Sequence, residues 1–161
     1  MSRVNSGLRE GLAGLGLAAV WAIPVAARLH GLPERIPTHF GLSGQADGWG
    51  SANQIFMLPV VALGLYLLLT VVVRAPESFH FGVAVTAENR ARLQATACEL
   101  VGWLKAELMV LLASLVELQV LSAQRGFARG MGLAALLGGG LILGTILGFQ
   151  AALQRTARPL R

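Results

Sequence analysis

Two side chains in one polar segment, His39 and Asp47, have the chemistry to share a proton or to bind a divalent metal ion. They lie in residues 32–51, LPERIPTHFGLSGQADGWGS, between two strongly apolar stretches. Paired imidazole and carboxylate groups can serve as a proton relay or as metal ligands. Glu117, far along the chain, can add a second carboxylate, and a metal held by all three could activate water. The spacing matches no established metal motif such as HExxH, so we favour a structural role for His39 and Asp47 and lean away from an enzyme.

The segment that contains these residues is rich in proline and glycine. Pro33 and Pro37 each fix a φ angle, and four glycines between residues 41 and 50 permit turns that other residues rarely adopt. Together these prolines and glycines predict a compact, ordered loop, and ordered loops on a rigid scaffold often bind ligands. The candidate binding residues are Pro33, Pro37, His39, Phe40, Gly44, Asp47, Gly48 and Trp49.

The elements that must position this loop are apolar helices. Of the 161 residues, 55% are hydrophobic and 13% are charged, whereas a soluble domain has about 25% charged residues. Apolar stretches of about 20 residues are long enough to cross a bilayer as helices. The sequence therefore predicts an all-α integral membrane four-helix bundle, one transmembrane domain over residues 1–161, with a first span that is retained rather than cleaved as a signal peptide. The predicted spans are residues 10–28, 55–73, 103–123 and 130–153.

The distribution of arginine predicts how these spans are oriented. Eight arginines lie near the two termini or in residues 74–102, against four beside the other two loops. The positive-inside rule then places both termini in the cytoplasm, with residues 29–54 as an extracytoplasmic loop and residues 74–102 as a cytoplasmic loop and helix extension. The net charge of +5 is explained by this orientation, and we expect membrane lipid rather than nucleic acid as a partner. The predicted location is a bacterial inner membrane, crossed several times.

Charged residues inside the third span are a second candidate feature. Intramembrane carboxylates are rare and usually face a bundle interior or a cavity. Glu107 can hold helices together through a hydrogen bond, which we favour slightly, or form with Glu117 a polar strip for ion or proton movement. Lys105, near the edge of this span, is expected to extend its ammonium group to the membrane surface.

A stripe of glycines on the fourth span predicts close helix packing. Gly140, Gly144 and Gly148 recur every four residues, so they share one helix face that a neighbouring helix can approach closely. We favour a neighbour within the chain, and a homo-oligomer through this face is the alternative.

The polar segment carries a specific pattern, Pro-x-x-Ile-Pro-x-His-Phe followed by Gly-x-x-Asp-Gly-Trp-Gly-Ser, within residues 33–51. This pattern resembles a bacterial membrane family of unknown function, over residues 10–75. Its domain also forms the front of Sdp-type toxin-immunity proteins. The resemblance implies an inner-membrane protein with this loop outside and, more weakly, self-protection against a membrane-active peptide or signal reception.

Three functional hypotheses follow. The first is binding of a peptide, lipid or partner protein through the outer loop. The alternatives are a membrane-embedded metal-dependent hydrolase or transferase, and a small transporter or channel subunit.

Overall fold

Four long helices dominate the fold. The computed structural model describes residues 2–41, 43–126 and 130–157. Within those residues four helices are long and apolar enough to cross a membrane, as expected from the sequence, which suggests a multi-pass membrane protein. Arg129, Arg158 and Arg161, which entered the arginine count above, lie outside the described residues. The helices are α1 Ser2–Leu29, α2 Met57–Arg74, α3 Arg90–Arg125 and α4 Met131–Ala157.

Helix α3 is the central element, and the other three helices pack against it. Helices α1 and α3 run parallel, since Arg9 lies beside Gly102 and Gly16 lies beside Met109. Between α1, α2 and α3 lies an apolar core that excludes water. The residues of this core are Ala13, Val20, Ala62, Ala106, Met109, Leu112 and Val116.

The outward faces of α2 and α4 are apolar rather than polar. Large side chains such as Val60, Leu67, Leu136 and Leu143 are more than half exposed. In water such a surface would promote aggregation, whereas in a bilayer it meets lipid chains. This exposure agrees with the membrane character of the helices.

The predicted loop between the first two spans forms an antiparallel β-hairpin, so the fold is not all-α. Strand β1 is Arg35–Phe40 and strand β2 is Ala46–Ser51. The turn between them uses Gly44, whose φ of +78° lies in the left-handed region that favours glycine. A 3-10 turn, Ala52–Phe56, then leads into α2.

A second apolar cluster fixes the hairpin to the helices. Ile36 of β1 and Ile55 of the 3-10 turn are fully buried, and they pack with Ala27 of α1 and Val120 of α3. The hairpin is therefore part of the packed structure and not a tether between two spans.

The central helix is longer than a membrane core. Its 36 residues correspond to about 54 Å at 1.5 Å per residue, against about 30 Å of hydrocarbon. The helix is thus long enough to extend beyond the membrane core, and its placement relative to the membrane stays a prediction. Thr86 and Asn89 precede the helix and form two reciprocal hydrogen bonds. The Thr86 N–H donates to Asn89 Oδ1, and the Asn89 N–H donates to Thr86 Oγ1.

Two sequence-based expectations about packing are wrong. Lys105 is 1% exposed and lies inside the bundle instead of reaching the membrane surface, because Glu10 of α1 supplies a counter-charge there. A Cβ added at Gly140, Gly144 or Gly148 would meet no atom within 4 Å among the described residues. These glycines face outward, so the stripe is not a contact within the chain.

Candidate binding cleft beside the hairpin

The hairpin has an irregular register around His39. The pairing runs Pro37 with Trp49, His39 with Gly48, and Phe40 with Ala46, with a shift on each side of His39. Such bulges bend a strand and redirect its side chains. Here they bring the His39 imidazole and the Asp47 carboxylate together.

The contact between His39 and Asp47 joins Nδ1 to Oδ1. The two side chains are 74% and 53% exposed, so water screens the pair and its contribution to stability is small. The backbone around it is tightly fitted: a Cβ at Gly48 would lie 2.8 Å from the His39 Cβ, and one at Gly41 would lie 3.2 Å from Asp47 Oδ2. We therefore interpret the pair as shaping the hairpin end.

Only Gly44 of the four loop glycines supplies a turn through a positive φ angle. Gly48 and Gly50 lie in β2 and are needed for close approach instead. A Cβ at Gly50 would overlap the amide of Gln54 and lie 2.9 Å from the Thr38 methyl group. The expectation that all four of these glycines form turns is therefore wrong.

Glu117 does not complete a metal site with the other two candidates. Across the described ranges, no three side chains of histidine, cysteine, aspartate or glutamate are grouped to hold a metal ion. Glu117 is exposed on α3. The geometry therefore pairs His39 with Asp47 and leaves the proposed third ligand apart.

A cleft of about 340 Å³ lies between the hairpin and the helices. Its size falls within the usual range for a small-ligand site. Its walls come from β1, the 3-10 turn and three helices, and they are mostly apolar with a few polar side chains. The lining residues are Thr38, His39, Phe40, Gln54, Met57, Leu58, Leu115, Gln119, Met131 and Ala135.

Gln119 is the most informative residue of this cleft, and sequence reasoning missed it. Its Nε2 donates a 2.8 Å hydrogen bond to the Pro37 carbonyl oxygen, which ties α3 to β1. Its Oε1 is buried and has no hydrogen-bond partner among the described residues. A buried acceptor without a partner is costly, so a donor on a ligand would be favourable here. The sequence feature that could have indicated Gln119 is its polar amide in a largely apolar stretch, two residues after Glu117.

The other predicted loop residues occupy different surroundings. Phe40 lines the cleft, whereas Trp49 is 48% exposed and is not part of its lining. Pro37 is fully buried against the helices, and Pro33 is exposed. Glu107 does not line this cleft, and its Oε1 accepts a hydrogen bond from Thr145 Oγ1 of α4.

Comparison with known proteins finds matches over the segment that contains the hairpin side of this cleft. Residues 15–63 match a family model described as Domain of unknown function (DUF1648). That match covers the C-terminal half of α1, the hairpin and the start of α2. An uncharacterized protein of Archaeoglobus fulgidus is 36% identical over 59 residues, which cover 35% of this chain and 32% of that protein. The chain thus spans about a third of the relative's length, and no solved structure matches it.

Proposed function

We propose that this multi-pass membrane protein binds a short apolar peptide in the cleft beside its hairpin. In this proposal both termini are in the cytoplasm of a bacterial cell and the hairpin is outside, so the cleft receives peptides from the extracytoplasmic side. The single observation that supports it best is the buried Gln119 Oε1, an unused acceptor on a side chain that lines a mostly apolar cleft.

A peptide has the two kinds of group that this cleft can satisfy. Its backbone N–H can donate to Gln119 Oε1 once the side chain turns that atom toward the cleft, and apolar side chains can pack on Phe40, Met57 and Leu115. Removing apolar area from water supplies most of the binding energy, while the hydrogen bond fixes the orientation. A lipid tail would use the apolar walls alone and would leave the acceptor unpaired.

The metal-dependent hydrolase is less well supported than the binding role. His39 and Asp47 meet, but a metal ion would need at least one more ligand from the chain for an ordinary three-ligand catalytic site. Self-protection against a membrane-active peptide, or reception of a peptide signal, would be a physiological use of the proposed cleft.

The test is a peptide titration of the purified protein in lipid nanodiscs. The probe is N-acetyl-leucyl-leucine amide, and the readout is the heat of binding measured by isothermal titration calorimetry. We expect a saturable binding heat for the wild-type cleft. Ala135→Phe, which fills the cleft from α4, should weaken binding by at least about tenfold through lost packing area.

The matched control is Ala134→Phe, one residue earlier on the same helix, where the side chain lines a different cavity. This variant should bind the peptide as the parent protein does. Equal weakening in both variants, or no saturable signal from a protein that unfolds cooperatively, would refute peptide binding in the cleft. Saturable binding of a fatty alcohol with the same dependence on position 135 would instead favour a lipid ligand.

A further inference from the structure

A second and larger cavity lies between α1, α3 and α4. Its volume is about 510 Å³, and nearly all of its wall is apolar. Leu12 contributes from α1, Trp103 and Val110 from α3, and Leu137 and Leu141 from α4. The space would accommodate an alkyl chain.

One carboxylate, that of Glu107, is set into this apolar wall. Its Oε1 accepts a 2.6 Å hydrogen bond from Thr145 Oγ1 of α4. Its Oε2 is buried and has no hydrogen-bond partner among the described residues. Burying a carboxylate in apolar surroundings is expensive unless a cation or several donors accompany it.

The cationic side chains nearest along α1 and α3 already have partners elsewhere. The Lys105 ammonium contacts both carboxylate oxygens of Glu10 at 2.7 Å. Arg9 lies 3.8 Å from Glu99 and 6.0 Å from the centre of the Trp103 ring. In the part of the chain that the structure describes, Glu107 has no ion-pair partner.

From this arrangement we propose that the cavity binds a lipophilic primary amine. The alkyl chain fills the apolar space, and the Glu107 carboxylate turns toward the ammonium group, which donates to Oε2 and neutralises the charge. A fatty alcohol of the same length would fill the space and donate one hydrogen bond, but it would leave the charge uncompensated. This site is separate from the hairpin cleft and does not depend on the function proposed for it.

Trp103 provides a direct readout because it lines the cavity and bromine quenches tryptophan fluorescence on contact. The probes are 6,7-dibromododecylamine and 6,7-dibromododecanol, whose bromines are midway along the chain and within reach of Trp103 when the head group is at Glu107, added to protein in nanodiscs after Trp21→Phe and Trp49→Phe substitution. We expect saturable quenching by the amine. The variant Glu107→Gln should weaken the amine by roughly tenfold or more, as expected for loss of a charge-assisted hydrogen bond, and should change the alcohol little.

Two further comparisons separate the site from general partitioning into the bilayer. Glu117→Gln removes an exposed carboxylate from the same helix and should leave amine quenching unchanged. Ala134→Phe, which fills the cavity, should weaken the amine, whereas Ala135→Phe should not. The proposal is overturned if Glu107→Gln and Glu117→Gln behave alike, or if amine and alcohol respond equally to Glu107→Gln. Cooperative thermal unfolding of each variant confirms that the comparison concerns folded protein.

Discussion

At the scale of single residues, the Lys105 ammonium is the most completely enclosed charge that the structure describes. It contacts the Glu10 carboxylate at 2.7 Å, Thr70 Oγ1 at 3.3 Å and the Tyr66 ring centre at 4.8 Å. These three partners come from α1 and α2, so one side chain of α3 links three helices. The Glu10 side chain is 52% exposed, so the pair is enclosed only at the lysine end.

Removing Glu10 should therefore destabilise the bundle through an uncompensated charge at Lys105. We expect Glu10→Gln to cost about 1–3 kcal/mol, below the range for a fully buried pair because Glu10 is half exposed and partly screened. The double variant Glu10→Gln, Lys105→Met should recover much of that loss, since no buried charge remains. Denaturant unfolding in mild detergent measures both values. Additive losses in the double variant would show that the two residues do not interact.

Some site residues were predictable from the sequence, and others depend on tertiary alignment. His39 and Asp47 lie eight residues apart in one polar segment, so their pairing required only a local turn. Gln119 lies 82 residues from its partner Pro37, and Lys105 lies 95 residues from Glu10. The first contact depends on how the hairpin packs on α3, and the second on the parallel alignment of α1 with α3; local patterns specify neither.

At the scale of elements, the hairpin is the largest difference from the prediction. The β2 segment ADGWGS contains two glycines and an aspartate, which are residues depleted in strands, and Pro37 interrupts β1. The two strands of the hairpin form because Ile36 and Pro37 are buried against the helices. In addition, Gly48 and Gly50 allow close cross-strand contacts. The four helices were predictable because long apolar stretches need only local hydrogen bonds to form in a membrane.

The close approach of α1 and α3 depends on one glycine. A Cβ at Gly16 would lie 2.8 Å from the Met109 Cβ and 3.0 Å from the Met109 backbone carbon, so the neighbouring backbone would have to shift. We expect Gly16→Ala to destabilise the protein by about 1–3 kcal/mol, as for other overpacked sites. Thermal or denaturant unfolding of the detergent-solubilised protein measures the change.

Gly14 is the matched control for this prediction, because it lies two residues away on α1 and a Cβ there would meet nothing within 4 Å. Gly14→Ala should be neutral or stabilising by up to about 1 kcal/mol through helix propensity. If both alanine variants were equally stable, the α1–α3 contact would not be as close as the structure has it.

At the scale of the whole molecule, α4 is the least enclosed helix. No residue in its most apolar 18-residue window is buried, and it contacts the bundle mainly through α3. Its outward face carries the exposed glycines at 140, 144 and 148. Such a stripe lets helix backbones approach closely in a membrane, so we predict that a second copy of the chain packs against this face.

This prediction concerns oligomeric state and can be tested without a ligand. Gly144→Leu places a bulky side chain in the middle of the stripe and should shift a dimer toward monomer by roughly tenfold or more, because lost van der Waals packing is the main driving force between helices in lipid. Gly64→Leu is the control, since Gly64 is also exposed and unobstructed but lies on α2. Energy transfer between donor-labelled and acceptor-labelled chains in liposomes, measured over a range of protein-to-lipid ratios, reports the equilibrium. Transfer that falls equally in both variants, or that matches random proximity in the wild type, would mean that the stripe faces lipid alone.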